Sequence, residues 1–254
     1  MKDFTLQSYS RYLRAIKSNG IPFYRFDDFM EKSVPPEKFC LVRHDVDRKP
    51  KNALEMAQLE QEMGVVSTYY FRKKPQTFKP AIIKEIAAMG HEIGYHYESL
   101  SDAKGDMKKA VKLYERDLAA FRAIVPIKTT SMHGRPLLPY DNRDMWKDAA
   151  NHQHLLNNLK ILGEVYLDID YSEIAYINDT GRNWTSGKSN KRDKVDSNVN
   201  ADFESSEALL YCLTNNTPHK MIFQIHPERW TDRSIEWMQQ KMKDGAINLV
   251  KALR

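Results

Sequence analysis

The residues best suited to chemistry cluster in 38–50, KFCLVRHDVDRKP, where an apolar run ends in Arg43, His44, Asp45 and Asp47. In an extended chain Asp45 and Asp47, two apart, point the same way. Two carboxylates that close repel each other unless a cation or a proton lies between them. A bound metal resolves the conflict, with one Asp coordinating and the other left free as a base. The plainer alternative is a pair of turn or capping aspartates before Lys49-Pro50. His44 and Arg43 beside them argue against it.

Four further stretches carry groups of the same kind. In GHEIGYHYES, 90–99, His91 and His96 have opposite parity. His96, at the far end, is the better metal ligand, and His91 reads as a buried imidazole bonded to backbone. Glu98 shares the parity of His96. In SMHGRP, 131–136, His133 precedes Gly134, which allows close backbone approach. Arg135 there can pair with Asp45 and hold it ionised. In NDTGRNW, 178–184, Asp179, Arg182 and Trp184 suit a sugar, with polar groups for hydroxyls and an indole face for the ring; a turn around a buried Trp is the bland alternative. In IHPERW, 225–230, His226 stands before a proline, where helix is disfavoured, and can donate a proton to a leaving group. His152 and His154 read as surface residues.

Positioning such groups requires elements that deliver them to one place. Strand patterns are expected at 38–45, 65–71, 92–97, 127–132, 165–169, 174–177 and 220–225. Helix patterns are expected at 51–63, 80–89, 106–124, 144–162, 205–213 and from 234 onward. The alternation argues for βα units around a parallel sheet. Strand after strand runs into a ligand-type residue, and four of the eight histidines (His44, His96, His133, His226) fall at such ends. In parallel α/β folds the carboxyl ends of the strands share one rim, where active sites form. The polar stretch 181–204 reads as a loop or a lid.

Bulk properties narrow the function classes. The chain has 254 residues, 41% hydrophobic and 29% charged, with net charge +5 from 39 basic and 34 acidic residues. That excess is small and scattered, a poor basis for nucleic-acid binding. The basic run Lys188, Lys191, Arg192 and Lys194 reads as a solvated loop. No stretch approaches the ~20 apolar residues of a membrane span, and the N-terminus lacks a signal-peptide pattern. Two cysteines, Cys40 and Cys212, in apolar surroundings support neither a disulfide framework nor a thiolate metal site. The expectation is one domain over 1–254 in a cytoplasmic setting.

Together the motifs resemble the polysaccharide deacetylases of carbohydrate esterase family 4, which share the NodB homology domain. Asp45-Val46-Asp47 is similar to the family's first motif, Gly90–His96 to its second, Arg135-Pro136 to its third and Ile225-His226-Pro227 to its last. RHDVD, STYYFR, GHEIGYHYE, HGRP, DTGRNW and HPERW together resemble a bacterial subgroup linked to surface-glycan clusters. The resemblance implies a distorted (β/α) barrel of about seven parallel strands and a divalent metal, zinc foremost. It implies Asp45 as general base, Asp47 and His96 as metal ligands and His226 as general acid. The reaction implied is removal of an N-acyl group, usually acetyl, from an amino sugar or a glycan precursor. One position departs from the pattern: Leu100 stands where the family's second motif has another histidine. A catalytic zinc usually has three protein ligands. The third is sought among His133, Glu98 and His91, with His133 favoured because it too ends a strand. Without a third ligand the chain becomes a catalytically idle glycan-binding or scaffolding module.

Overall fold

The computed structural model describes residues 2–135, 137–185 and 192–252. Lys188 and Lys191 of the basic run and Pro136 of the third motif lie outside the described residues. The elements in chain order are α1 (Leu6–Ser18), β1 (Phe23–Tyr24), α2 (Phe26–Met30), β2 (Phe39–Val46), α3 (Pro50–Glu62), β3 (Thr68–Phe71), α4 (Pro80–Ala88), β4 (Glu92–Tyr97), α5 (Ser99–Asp102), α6 (Met107–Arg122), β5 (Thr129–Met132), α7 (Asp144–Lys147), α8 (Ala149–Gln153), β6 (Gly163–Glu164), β7 (Ala175–Asn178), α9 (Ser206–Asn215), β8 (Lys220–Ile225) and α10 (Ser234–Ala252).

Among the described residues every pairing between these strands is parallel, and the sheet runs β6-β5-β4-β3-β2-β8-β7, with the short β1 added to β2. This is the distorted (β/α) barrel of seven strands, left open between β6 and β7. All eight residues of β2 are buried, because both faces of the strand are covered. Phe39 and Leu41 belong to the core inside the barrel. Cys40 and Val42 face the other way, into the core shared with Tyr9, Tyr12 and Leu13 of α1. The same alternation sends Arg43 and Asp45 inward and His44 outward.

Local chemistry explains where expectation and structure part. The segment 165–169 is a turn, not a strand: Asp168 folds back so that its carboxylate accepts the Glu164 N–H at 2.7 Å. The expected helix over 144–162 breaks at Asp148, whose extended backbone ends α7 while its side chain caps α8. A π-helical turn, His154–Asn158, follows. Helix α1 lies outside the helix patterns read from the sequence, and Thr5 and Ser8 form a reciprocal capping box at its start. Gly94 of β4 has a steric reason. A Cβ there would lie 2.2 Å from the ring of Tyr70, which fills the barrel below the site.

Candidate metal centre

The carboxyl ends of β2, β3, β4, β5, β7 and β8 deliver Asp47, Arg72, Glu98, His133, Asp179 and His226. Asp45 and His96 lie one turn of the pleat deeper. The ligand atoms of Asp47, His96 and His133 all fall within 4.8 Å of one another. Asp47 Oδ1 is 3.4 Å from His96 Nε2 and 3.3 Å from His133 Nε2. It is buried and has no hydrogen-bond partner. Among the described residues this is the one group of three or more such side chains placed this way.

The two imidazoles are oriented from behind. His96 Nδ1 lies 3.0 Å from the Ser131 carbonyl, so Nδ1 carries the proton and Nε2 keeps a lone pair. His133 Nδ1 lies 3.1 Å from Glu98 Oε2. Glu98 is in turn held by both oxygens to Arg72 Nη2, at 2.7 and 2.9 Å, and by Lys74. A free buried carboxylate oxygen facing two imidazole nitrogens is what a divalent cation needs, so the residues fit the metal the motifs imply. Burial pulls the His133 imidazole down, but Asp47 and Glu98 outweigh it and hold it up at about 9. Burial pushes the Asp47 carboxyl up, and His133 and His96 outweigh that to bring it well below the usual range. A cation would replace the proton that this cluster otherwise keeps.

Asp45 sits beside the triad, its Oδ2 3.7 Å from His96 Nε2. Its partner is Arg43, with Nε to Oδ1 at 3.0 Å and Nη2 to Oδ2 at 2.8 Å. Gln224 Nε2 donates to Oδ2 at 2.6 Å. Burial opposes ionisation of Asp45, but Arg43 and the nearby imidazoles outweigh it and lower its pKa. On the far side His226 Nδ1 lies 2.6 Å from Asp179 Oδ1, and the His226 N–H donates to Asp179 Oδ2 at 3.0 Å. Burial and Arg229 push the His226 imidazole down, while Asp179 raises it, with a net rise.

Several sequence expectations need correcting. Arg135 does not pair with Asp45. It reaches Asp102 at 3.1 Å and Glu98 at 3.5 Å, out at the rim. Arg43, two residues before Asp45 and on the same strand face, takes that place. Trp184 is 3% exposed, stacked on Phe4 with ring centroids 5.3 Å apart, and its indole N–H donates to Ser206, so no ring face is open to a sugar. Arg182 packs its guanidinium over Phe4 and Trp237, each 4.6 Å to the centroid, and donates to the Arg229 carbonyl. Asp179 is fully buried, its oxygens taken by His226, Arg229 and Trp230, so it orients the imidazole and is closed to hydroxyls. His91 makes the expected structural contact, with Nε2 3.1 Å from the Ala57 carbonyl. Leu100 is buried in the core. His152 and His154 are half-buried and pair with Asp168 and Glu115.

Sequence reasoning assigned nothing to Arg43, Gln224 and Arg72. The signals existed: Arg43 shares parity with Asp45, Gln224 with His226, and Arg72 ends STYYFR as His133 ends its strand. The cavity over the site has a volume of about 720 Å³, and its lining includes the polar Asp47, Arg48, Arg72, His133 and Arg135. Leu137, Leu138, Ala246 and Ile247 are its apolar lining. Of the polar stretch 181–204, Arg192 donates to the Leu138 carbonyl and Asp193 lies 3.4 Å from the Tyr166 hydroxyl, beside this rim. Another hollow, about 510 Å³, opens near the amino ends of β2 and β8 and has no histidine in its lining.

Comparison with known proteins gives distant likenesses. No family profile and no curated protein matches the chain. Among solved structures it is similar to a Streptococcus mutans CE4 esterase, at 14% identity and a TM-score of 0.47, over 94% of this chain and 91% of that one. It is also similar to the catalytic domain of a peptidoglycan N-acetylglucosamine deacetylase from Eubacterium rectale, at 15% identity and a TM-score of 0.45, over 85% of this chain and 87% of that one. A third is peptidoglycan deacetylase PdaC from Bacillus subtilis, at 12% identity and a TM-score of 0.40, over 84% of this chain and 96% of that one.

Proposed function

We propose that the chain is a metal-dependent hydrolase that removes an N-acyl group, acetyl foremost, from an amino sugar or a glycan precursor. The observation that carries this is the convergence of Asp47, His96 and His133 on one point, beside an ionised Asp45 and a buried His226. Three of the motifs that resemble carbohydrate esterase family 4 contain Asp45, Asp47, His96 and His226, His133 stands two residues before the remaining one, and that resemblance supports the choice of substrate.

Asp47 Oδ1, His96 Nε2 and His133 Nε2 would hold the cation, zinc being the metal that suits two imidazoles and a carboxylate. When bound, it would supply Lewis acidity and lower the pKa of a water from ~15.7 toward ~7. The rest falls to the chain. Asp45, kept ionised and aimed by Arg43 and Gln224, accepts the proton of the attacking water. His226 has its Nδ1 engaged by Asp179, so Nε2 is the nitrogen left to deliver a proton to the departing amine. The raised pKa of His226 favours the protonated form that this step needs. Leu100 does not leave the set short, because His133 offers the third ligand atom.

Chelated protein reloaded with zinc, cobalt or nickel should release acid from N-acetyl or N-formyl amino sugars. Release that persists unchanged in Asp45→Asn would overturn the assignment. A chain that retains no metal and still binds sugar would instead be the idle module.

A further inference from the structure

Helix α10 is built the wrong way round for a helix that serves only its own domain. Its line toward the domain is polar apart from Trp237, whose indole N–H donates to the Asp3 carbonyl. Gln240 and Asp244 are buried and bonded to each other, and Asn248 donates to the Gly181 carbonyl at 2.8 Å. Its outward line is apolar. Ile235 is 76% exposed, Met238 59%, Met242 70% and Leu249 69%. At about 100° per residue these four fall within a sector of roughly 60°, opposite the buried polar line. Lys241 and Lys243, both exposed, stand about 100° to either side of Met242.

The geometry points to a docking surface for an anionic lipid bilayer. An apolar line with lysines on both flanks sinks into the acyl boundary while its ammonium groups reach anionic headgroups. Charge selects this occupant over a second copy of the chain. Along the line from 235 to 249 the acidic residues are Glu236, whose carboxylate is taken by Lys49 and Arg233, and Asp244, buried on the inner side. Two such faces pressed together would set lysine against lysine, and an anionic surface complements both flanks. No helix among the described residues is long and apolar enough to cross a membrane, so α10 would lie on the surface. The same helix supplies Ala246 and Ile247 to the lining of the metal-site cavity. Docking therefore brings the mouth of that cavity to the membrane. If the proposed deacylation is right, the substrate is an amino sugar carried on a lipid.

The test is co-sedimentation of the full chain with vesicles of phosphatidylcholine alone and of phosphatidylcholine with phosphatidylglycerol. Binding is expected to the anionic vesicles and to weaken as salt rises. The double variants Met238→Gln/Met242→Gln and Lys241→Glu/Lys243→Glu should each lower it by about tenfold or more. All four positions are exposed, so circular dichroism should show the fold unchanged. Absence of binding to anionic vesicles, or binding undiminished in both variants, overturns the proposal. So does a dimer in sedimentation velocity that Met242→Gln dissolves, because the second copy would then be the occupant. Asp47→Asn should sediment with vesicles like the parent, which separates failure of docking from failure of the hydrolase assignment.

Discussion

Strand β2 places a buried ionic network on each of its faces, and the two differ in one respect. On the outer face His44 Nε2 lies 2.6 Å from Glu60 Oε1, and the hydroxyls of Ser67 and Tyr69 donate to Glu60 Oε2 at 2.6 and 2.8 Å. Tyr9 donates to Oε1 as well. Both carboxylate oxygens of Glu60 are thus shared out within the fold. On the inner face the set ending in Asp47, His96 and His133 holds a carboxylate oxygen with no hydrogen bond and two imidazole nitrogens turned toward it. The fold cannot favour such a group for its own stability, because an unsatisfied buried polar atom costs about 1–3 kcal/mol. The contrast lies in the carboxylates: Glu60 has both oxygens bonded within the fold, although His44 Nδ1 beside it is left without a partner, whereas the Asp47 oxygen and two imidazole nitrogens converge on one point as metal ligands do.

Asp47→Asn is the sharpest way to break that contrast. It should abolish metal retention, read by elemental analysis after dialysis. It should also cut turnover by at least about three orders of magnitude, since an unassisted water keeps a pKa near ~15.7. Its effect on stability should be smaller than that of Glu60→Ala. Retention of stoichiometric zinc in Asp47→Asn would mean that the inner cluster is another structural network.

Glu60→Ala is the mirror experiment. Removing one partner of a buried pair costs about 3–5 kcal/mol, read as a lower urea midpoint. Turnover of the folded fraction and its metal content should be unchanged. Acid supplies a second readout on the same group. Burial pushes the Glu60 carboxyl up, but His44, His91 and Ser67 outweigh it and hold it at about 2, against 4.5 ordinarily. Because the folded-state pKa is depressed, this stabilisation is complete above about pH 4.5 and is lost as pH falls from there toward about 2. Glu60→Gln should flatten that part of the stability profile. An unchanged acid limb would show that Glu60 is not the group responsible.

Glu98→Gln probes the layer between the two kinds of network. Glu98 touches His133 at 3.1 Å but is itself saturated by Arg72 and Lys74. Loss of an outer carboxylate behind a ligating histidine typically costs about 10–100-fold in metal affinity. Competition with a chelator should read that loss, and an affinity equal to the parent's would detach Glu98 from the site.

Much of this architecture was legible in the sequence because period and position carry it. The strands at 92–97 and 220–225 have the expected bounds; strand-end position brings Asp45, Asp47, His96, His133 and His226 to one rim, and the family resemblance is what assigns Asp47 rather than Asp45 to the metal. What failed depended on which neighbour a side chain meets, and spacing does not record that. Trp184 looked open because NDTGRNW is polar around it, yet Phe4, from the far N-terminus, covers its ring. The turn at 165–169 was hidden because the run VYLDI reads as apolar alternation, while a single Asp168 oxygen folds it back onto Glu164.

The same limit makes Arg135 the most instructive of the small effects. Motif logic gave it to Asp45. In the structure it is partly exposed and bonded to Asp102, itself about a third exposed, at 3.1 Å. Pairs of that kind are worth about 0–1 kcal/mol, since water screens both charges and the long side chain loses freedom when held. Arg135→Ala should therefore leave stability nearly unchanged and the pH dependence of turnover where it was, because Asp45 keeps both bonds to Arg43. Arg43→Met should instead move the acidic limb of the turnover profile upward, since Arg43 is the cation that lowers the Asp45 pKa against burial. An acidic limb shifted by Arg135→Ala and untouched by Arg43→Met would return the pairing to the motif. It would also mean that the inner face of β2 rearranges when the cation binds.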